Sequence, residues 1–258
     1  MSTSFEFNYK IRSIEFCYCK KECVDEREIH SYNELLFYLD GNASFCTENF
    51  QQNLTKNSLI LIPKGKYHIF SPRLPQNFTR LKVSFYDNEL LNVLPQHIFN
   101  KITVLSEFSS ITFSLLNKIC AILEKGVSPT NGLFLYGAFF SILTEFATAE
   151  HIERYEQKQN TLVTQCIEYI EKNLTEDLNV EKISREIKFA PSTVAHSFKK
   201  QMGIPLHKYI MQKRLYFAKT MLDKGYLPTK VYLSCGYTNY SSFYKAYIKM
   251  FSKTPKEI

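Results

Sequence analysis

Two stretches of this chain place hydrogen-bonding, aromatic and basic side chains at helical spacing. In the second, Tyr240, Ser241, Tyr244, Lys245 and Lys249 lie opposite Phe243, Tyr247 and Phe251 on a helical projection. In the first, Val194 and Phe198 point one way, while Ser192, Thr193, Ala195, His196, Lys199 and Lys200 point the other. A face that donates and accepts hydrogen bonds, stacks and carries positive charge suits the major groove of DNA. There the base edges offer distinct donor and acceptor patterns and phosphates line the rim. Taken alone, each stretch fits a plain helical hairpin with a solvated face equally well.

The flanking residues supply the turns these faces need. The apolar run with Val231 and Leu233 ends at Gly236, which suits a left-handed residue past a helix C-terminus, and Asn239 is a good N-cap for the helix that follows. Upstream, Asn179 caps one helix, Pro191 suits the first position of the next, and Gly203 ends it. Helices are expected over 161–173, with Asn160 as cap, and over 180–187, 191–202, 206–223, 229–235 and 239–250. The run from Leu206 to Asp223 would span about 27 Å. A spacer of that order can hold two recognition helices about one DNA turn, roughly 34 Å, apart.

The charge distribution agrees. The net charge of +7 is uneven: residues 158–258 hold 17 Lys/Arg against 8 Asp/Glu, a net +9, while residues 1–157 come to −2. From Lys199 onward only Asp223 and Glu257 are acidic. A polyanion partner for the second half follows. The basic residues are spread over several short helices, which disfavours a membrane surface. With no secretory signal and no apolar run near 20 residues, the expected location is the cytoplasm. The seven Cys are read as reduced thiols. Cys17, Cys19 and Cys23, as C-x-C-x3-C, do not have a usual zinc spacing.

Residues 5–100 read as short strands closed by turn signals such as Gly41-Asn42, the pattern of a small barrel or jelly roll. Near residue 106 the period changes. Phe108, Ile111, Leu115, Ile119 and Ile122 mark one helix, and a second runs from about Leu133 to Tyr155 with a first half that is apolar nearly all round. That helix must be buried, either on its own barrel or against a second copy of the chain. The charged stretch Glu153–Gln159 reads as a linker. The expected domains are therefore 1–155, with a barrel over 5–100 and helices over 107–155, and 160–258.

The second half resembles the AraC/XylS family of bacterial transcription regulators. The resemblance rests on Ile167–Leu174, Phe198–Gly203, Tyr209 through Arg214-Leu215 to Ala218, Gly236-Tyr237, Ser241, Phe243, Tyr247 and Thr254-Pro255. It implies an α+β multidomain protein: an N-terminal cupin-like β-barrel with a helical pair, then an all-α domain with two helix-turn-helix motifs. It further implies promoter DNA and RNA polymerase as partners, a homodimer, and activation more often than repression. By position, DNA contacts are assigned to Ser192, Thr193, His196, Lys199 and Lys200 in the first motif and to Tyr240, Ser241, Tyr244 and Lys245 in the second. Three residues depart from the pattern: Ala190 replaces a capping Ser, and His196 and Lys245 replace Arg. Arg forks onto guanine, whereas Lys is a point charge and neutral His has one donor. Readout by the first helix is therefore expected to be weaker.

The first half resembles the cupin-type effector domains of that family through His30–Leu35 with Gly41 and Pro63–His68. Metal-using cupins carry His-x-His-x3-Glu and a later His. Here Glu28 stands at the first of these, while His30, Glu34 and His68 match the others. With the first His missing, no metal and no cofactor is expected. By analogy, a small organic effector would sit near His30, Glu34, Tyr67 and His68. No catalytic triad or phosphate-binding glycine loop is present, so the chain is read as a regulator and not as an enzyme. The competing reading is a metal-dependent cupin enzyme or metal sensor fused to a DNA-binding module.

Overall fold

The computed structural model describes residues 4–21, 26–48, 50–72, 78–86, 94–148 and 161–256. The chain divides into two compact units. One takes in Met1–Glu26, Tyr32–Thr47 and Gln51–Glu156, the other Gln157–Ile258 together with Arg27–Ser31 and Glu48–Phe50. The expected linker 153–159 and the cap expected at Asn160 lie outside the described residues.

The first unit is rich in antiparallel strands. They are β1 (Phe5–Ile11), β2 (Ile14–Lys21), β3 (Glu26–Glu28), β4 (Asn33–Asp40), β5 (Ala43–Thr47), β6 (Gln51–Leu54), β7 (Ser58–Ile62), β8 (His68–Pro72), β9 (Phe78–Phe85) and β10 (Thr103–Leu105). They form a six-stranded sheet in the order β1-β2-β9-β4-β7-β10 and a four-stranded sheet in the order β3-β8-β5-β6. The cupin-like arrangement is present, but among the described residues the expected barrel does not close. The terminal strands β3 and β10 are three residues long, too short to bridge the sheets. Gly41, at φ 125°, turns the chain out of the six-stranded sheet and into the four-stranded one.

Strand alternation gives the central strands two buried faces. Leu35 and Phe37 of β4 join Phe16, Leu81, Val83 and Phe85 in the main core. On the opposite face, Tyr38 meets Phe70 of β8 at a ring distance of 5.8 Å, and the guanidinium of Arg80 lies 5.0 Å from the Phe70 ring. Arg80 donates to Glu26 Oε1 at 2.7 Å, so this buried cation is both paired and stacked.

Two helices, α1 (Ser110–Lys125) and α2 (Pro129–Thr148), cover the first face. Leu135, Ala138, Phe139, Ile142, Leu143 and Phe146 of α2 are buried there, with Phe139 4.8 Å from the Phe85 ring. The apolar stretch thus packs on its own sheet. Of the expected core stripe of α1, Ile119 and Ile122 are buried, but Ile111 is 72% exposed, and Thr112, Leu116, Cys120 and Leu123 complete the buried face. Leu133 at the start of α2 is likewise 73% exposed. Periodicity fixes the width of an apolar stripe better than its centre, because neighbouring apolar residues satisfy more than one rotation.

The second unit is helical: α3 (Leu162–Lys172), α4 (Val180–Glu186), α5 (Pro191–Met202), α6 (Leu206–Asp223), α7 (Pro228–Ser234) and α8 (Tyr240–Phe251). Thr161 caps α3, its Oγ1 accepting from Thr164 N at 3.3 Å. Among the described residues no helix is long and apolar enough to cross a membrane.

Glu145 of α2 ties down the start of α1. It accepts hydrogen bonds from the Ser109 hydroxyl and from Thr112 Oγ1, the latter at 2.6 Å. Partial burial works against the carboxylate, but the bonds from Ser109 and Thr112 outweigh it and hold the group below its ordinary range. The stabilisation is therefore present above the unfolded pKa, about 4.3, and is lost as pH falls through the folded value. Urea titrations between about pH 5 and pH 3 should show the native protein losing more stability than Glu145→Gln.

Candidate nucleic-acid interface

The two helix-turn-helix motifs, α4–α5 and α7–α8, begin and end with different local chemistry. Asn179 Oδ1 accepts from Lys182 N at 2.8 Å and starts α4; Asn239 Oδ1 accepts from Ser242 N at 2.8 Å and starts α8. At α5 the N-cap is Ala190, which offers no side-chain hydrogen bond, and Pro191 carries the start alone. Gly203 closes α5 at φ 69°, in the left-handed conformation.

Buried residues fix the rotation of each recognition helix. Val194, Phe198 and Met202 anchor α5, and the Phe198 ring lies 5.2 Å from that of Tyr209 on α6. Phe243 and Tyr247 anchor α8 in a cluster with Leu215, Ala218 and Leu222 of α6 and Val231 of α7. Burial raises the Cys166 thiol to about 11 and the Cys235 thiol to about 12, so both are neutral packing groups rather than redox centres.

With those faces turned inward, Ser192, Thr193, His196, Lys199 and Lys200 are exposed along α5, and Ser241 and Lys245 along α8. Ser242, not singled out from the sequence, is exposed beside them. Tyr240 and Tyr244 are half-buried. The Tyr240 ring lies 5.7 Å from Tyr232 and 6.0 Å from both Phe243 and Tyr244. It therefore belongs partly to the core, because the first turn of α8 lies against α7.

Arg214 holds this arrangement from α6. Its Nε donates to Leu174 O at 3.0 Å and its Nη2 to Glu176 O, both in the α3–α4 connection. Its guanidinium also occupies the space at Gly236, where a Cβ would fall 2.6 Å from Arg214 Cζ. Gly236 is thus set by contact as well as by its φ of 71°.

Of the effector-site candidates, Glu34 of β4, Tyr67 and His68 of β8 belong to the strand-rich unit, whereas His30 belongs to the other unit. His30, Glu34 and His68 are buried and Glu28 is half-buried. Lys82 Nζ is 3.0 Å from Glu34 Oε2, and His68 Nδ1 is 3.1 Å from Lys66 O. Tyr67 is buried.

Known proteins resemble this chain in both halves. Residues 183–258 match the family described as a helix-turn-helix domain, HTH_18. The probable transcriptional regulator LumQ of Photobacterium leiognathi is 34% identical over 232 residues, 88% of each chain. The Msm operon regulatory protein of Streptococcus mutans is 22% identical over 226 residues, 86% of this chain and 81% of its own. The HTH-type transcriptional activator RhaR of Mannheimia succiniciproducens is 21% identical over 240 residues, 88% of this chain and 84% of its own.

The unequal helix starts make a direct prediction. Ala190→Ser should stabilise the protein by about 1 kcal/mol by supplying the missing cap, and Asn239→Ala should destabilise it by a similar amount. Chemical denaturation of both variants measures this.

Proposed function

The chain belongs to the AraC/XylS family of bacterial transcription regulators, and from that premise we propose that it activates transcription by laying α5 and α8 into successive major grooves of a promoter. The observation that supports this most is the pair of exposed polar and basic faces on helices whose opposite faces are locked into the core. Ser192, Thr193, His196, Tyr240, Ser241, Tyr244 and Lys245 face base edges in this reading, while Lys199 and Lys200 neutralise phosphates. The well-capped α8 carries the larger share of sequence discrimination. The half with α5, lacking a side-chain cap and an Arg at 196, tolerates more bases.

The strand-rich half receives a small organic effector near Glu34, Tyr67 and His68 and favours one DNA-binding state over another. Such a switch works only if the effector binds one state better. The regulator works as a homodimer in the cytoplasm and engages RNA polymerase from the promoter. The apolar Ile111, Phe113 and Leu133, exposed on α1 and α2, support a second copy of the chain as the partner of those helices.

Lys245→Ala should weaken binding to the target promoter by about 1–3 kcal/mol, with specificity relaxed at one position, if Lys245 reads a base. If it meets only phosphate, affinity should fall on all sequences and the salt slope should drop by about one. Fluorescence anisotropy on promoter and random duplexes separates these, and unchanged affinity for both would remove Lys245 from the interface. Sedimentation should show a dimer that Ile111→Glu with Leu133→Glu converts to monomer; a native chain that stays monomeric with and without DNA contradicts the dimer.

A further inference from the structure

We propose that the rings of Tyr240 and Tyr244 on α8 read thymine through its C5-methyl group, so that A·T pairs define the half of the DNA site opposite α8. This rests on the reading that α8 enters a major groove, and it names the base that the helix selects.

The geometry starts from the core. Phe243 and Tyr247 are buried, which leaves Tyr240, Ser241, Tyr244 and Lys245 as a stripe on the other side of α8. Ser241 and Lys245 are exposed, while both tyrosines are half-buried. Tyr240 opens the helix directly after its Asn239 cap, at the end where recognition helices meet base edges. Its ring is held by three others: it meets Tyr232 edge on at 5.7 Å and lies 6.0 Å from both Phe243 and Tyr244. Tyr244 follows one turn later and leans on Tyr240. Rings packed in this way have little rotamer freedom left to lose on binding, so the apolar surface they still expose is preset.

The major groove offers that surface one match. Guanine presents N7 and O6 there, adenine N7 and N6, and cytosine N4; thymine alone adds an apolar group, its methyl. A ring against a methyl removes apolar surface from water on both sides. A ring against a purine edge or the cytosine amine strips water from a polar group and returns no hydrogen bond. The paired rings therefore favour thymine and penalise its competitors. Ser241 and Lys245 beside them are left to bond a neighbouring base edge or a phosphate. On α5 the exposed stripe of Ser192, Thr193, His196, Lys199 and Lys200 carries no aromatic ring, so the two motifs read DNA by different chemistry.

The test starts from a duplex that the full chain selects out of a random pool. Uracil then replaces thymine, first in one half of the site and then in the other. Uracil keeps the hydrogen-bonding edge of thymine and lacks only the methyl. In the half read by α8, each contacted methyl removed should weaken binding about threefold to fivefold by fluorescence anisotropy. In the other half the loss should be smaller. Tyr244→Phe keeps the ring and should retain both affinity and thymine preference. Tyr244→Ser should bind the thymine duplex more weakly and lose the preference at the position its ring covers. Tyr244 is not among the buried residues of α8, and the Tm of each variant checks that it folds. Uracil tolerated in both halves, or Tyr244→Ser with every thymine preference intact, would overturn the proposal. So would Tyr244→Phe losing as much as Tyr244→Ser, which assigns the contact to the hydroxyl. A preferred duplex that is indifferent to uracil keeps the promoter reading and removes only the methyl contact, whereas a pool that yields no preferred duplex removes both.

Discussion

The helical unit depends on one buried cation. Arg214, 6% exposed in the middle of α6, gives up water and must find acceptors inside the protein. It finds the carbonyls of Leu174 and Glu176 in the α3–α4 connection, and its guanidinium fills the gap left by Gly236 between α7 and α8. One side chain therefore touches the segment leading into the first helix-turn-helix motif and the turn of the second. A Lys could not do the same, because a point charge lacks the planar fork that reaches two carbonyls while filling the gap at a glycine. A side chain at position 236 would meet both the guanidinium and an unfavourable backbone angle.

Around that fixed centre, the two motifs are unequal copies. The core residues of α5 and α8 are spaced alike, Val194 and Phe198 against Phe243 and Tyr247, so both helices present one polar face outward. Their starts differ. Asn239 satisfies an orphan N–H of α8, whereas Ala190 leaves the first turn of α5 to Pro191 and water. The first turn is where recognition helices meet base edges, so the difference lies at the end that matters for readout.

The strand-rich unit separates its tasks by strand parity. Residues 35 and 37 of β4 build the core under α1 and α2, while Glu34 and Tyr38 face the other way, toward the four-stranded sheet. A polar cluster at Glu34 can thus sit within a few ångströms of a dense apolar core without disturbing it. The helical cover is fastened separately by Glu145, whose hydrogen bonds to Ser109 and Thr112 stabilise the N-terminus of α1.

Much of the helical unit was legible because its signals are local. Asn179, Pro191, Gly203 and Asn239 mark helix ends through bonds made within three or four residues, and α5 and α6 fall at the predicted bounds. The strands β3, β8 and β10 were not legible, since short or charged segments such as Glu-Arg-Glu pair only when a neighbouring strand offers its edge. Nor could spacing show that Ile111 faces solvent or that Tyr240 leans into the core. The sequence by itself determined the class of partner, through charge and helix faces, and the bounds of the longer helices, through caps. Only the tertiary structure decided which side chains converge, because convergence depends on sheet order and helix rotation. Those are set by packing between residues far apart in the chain.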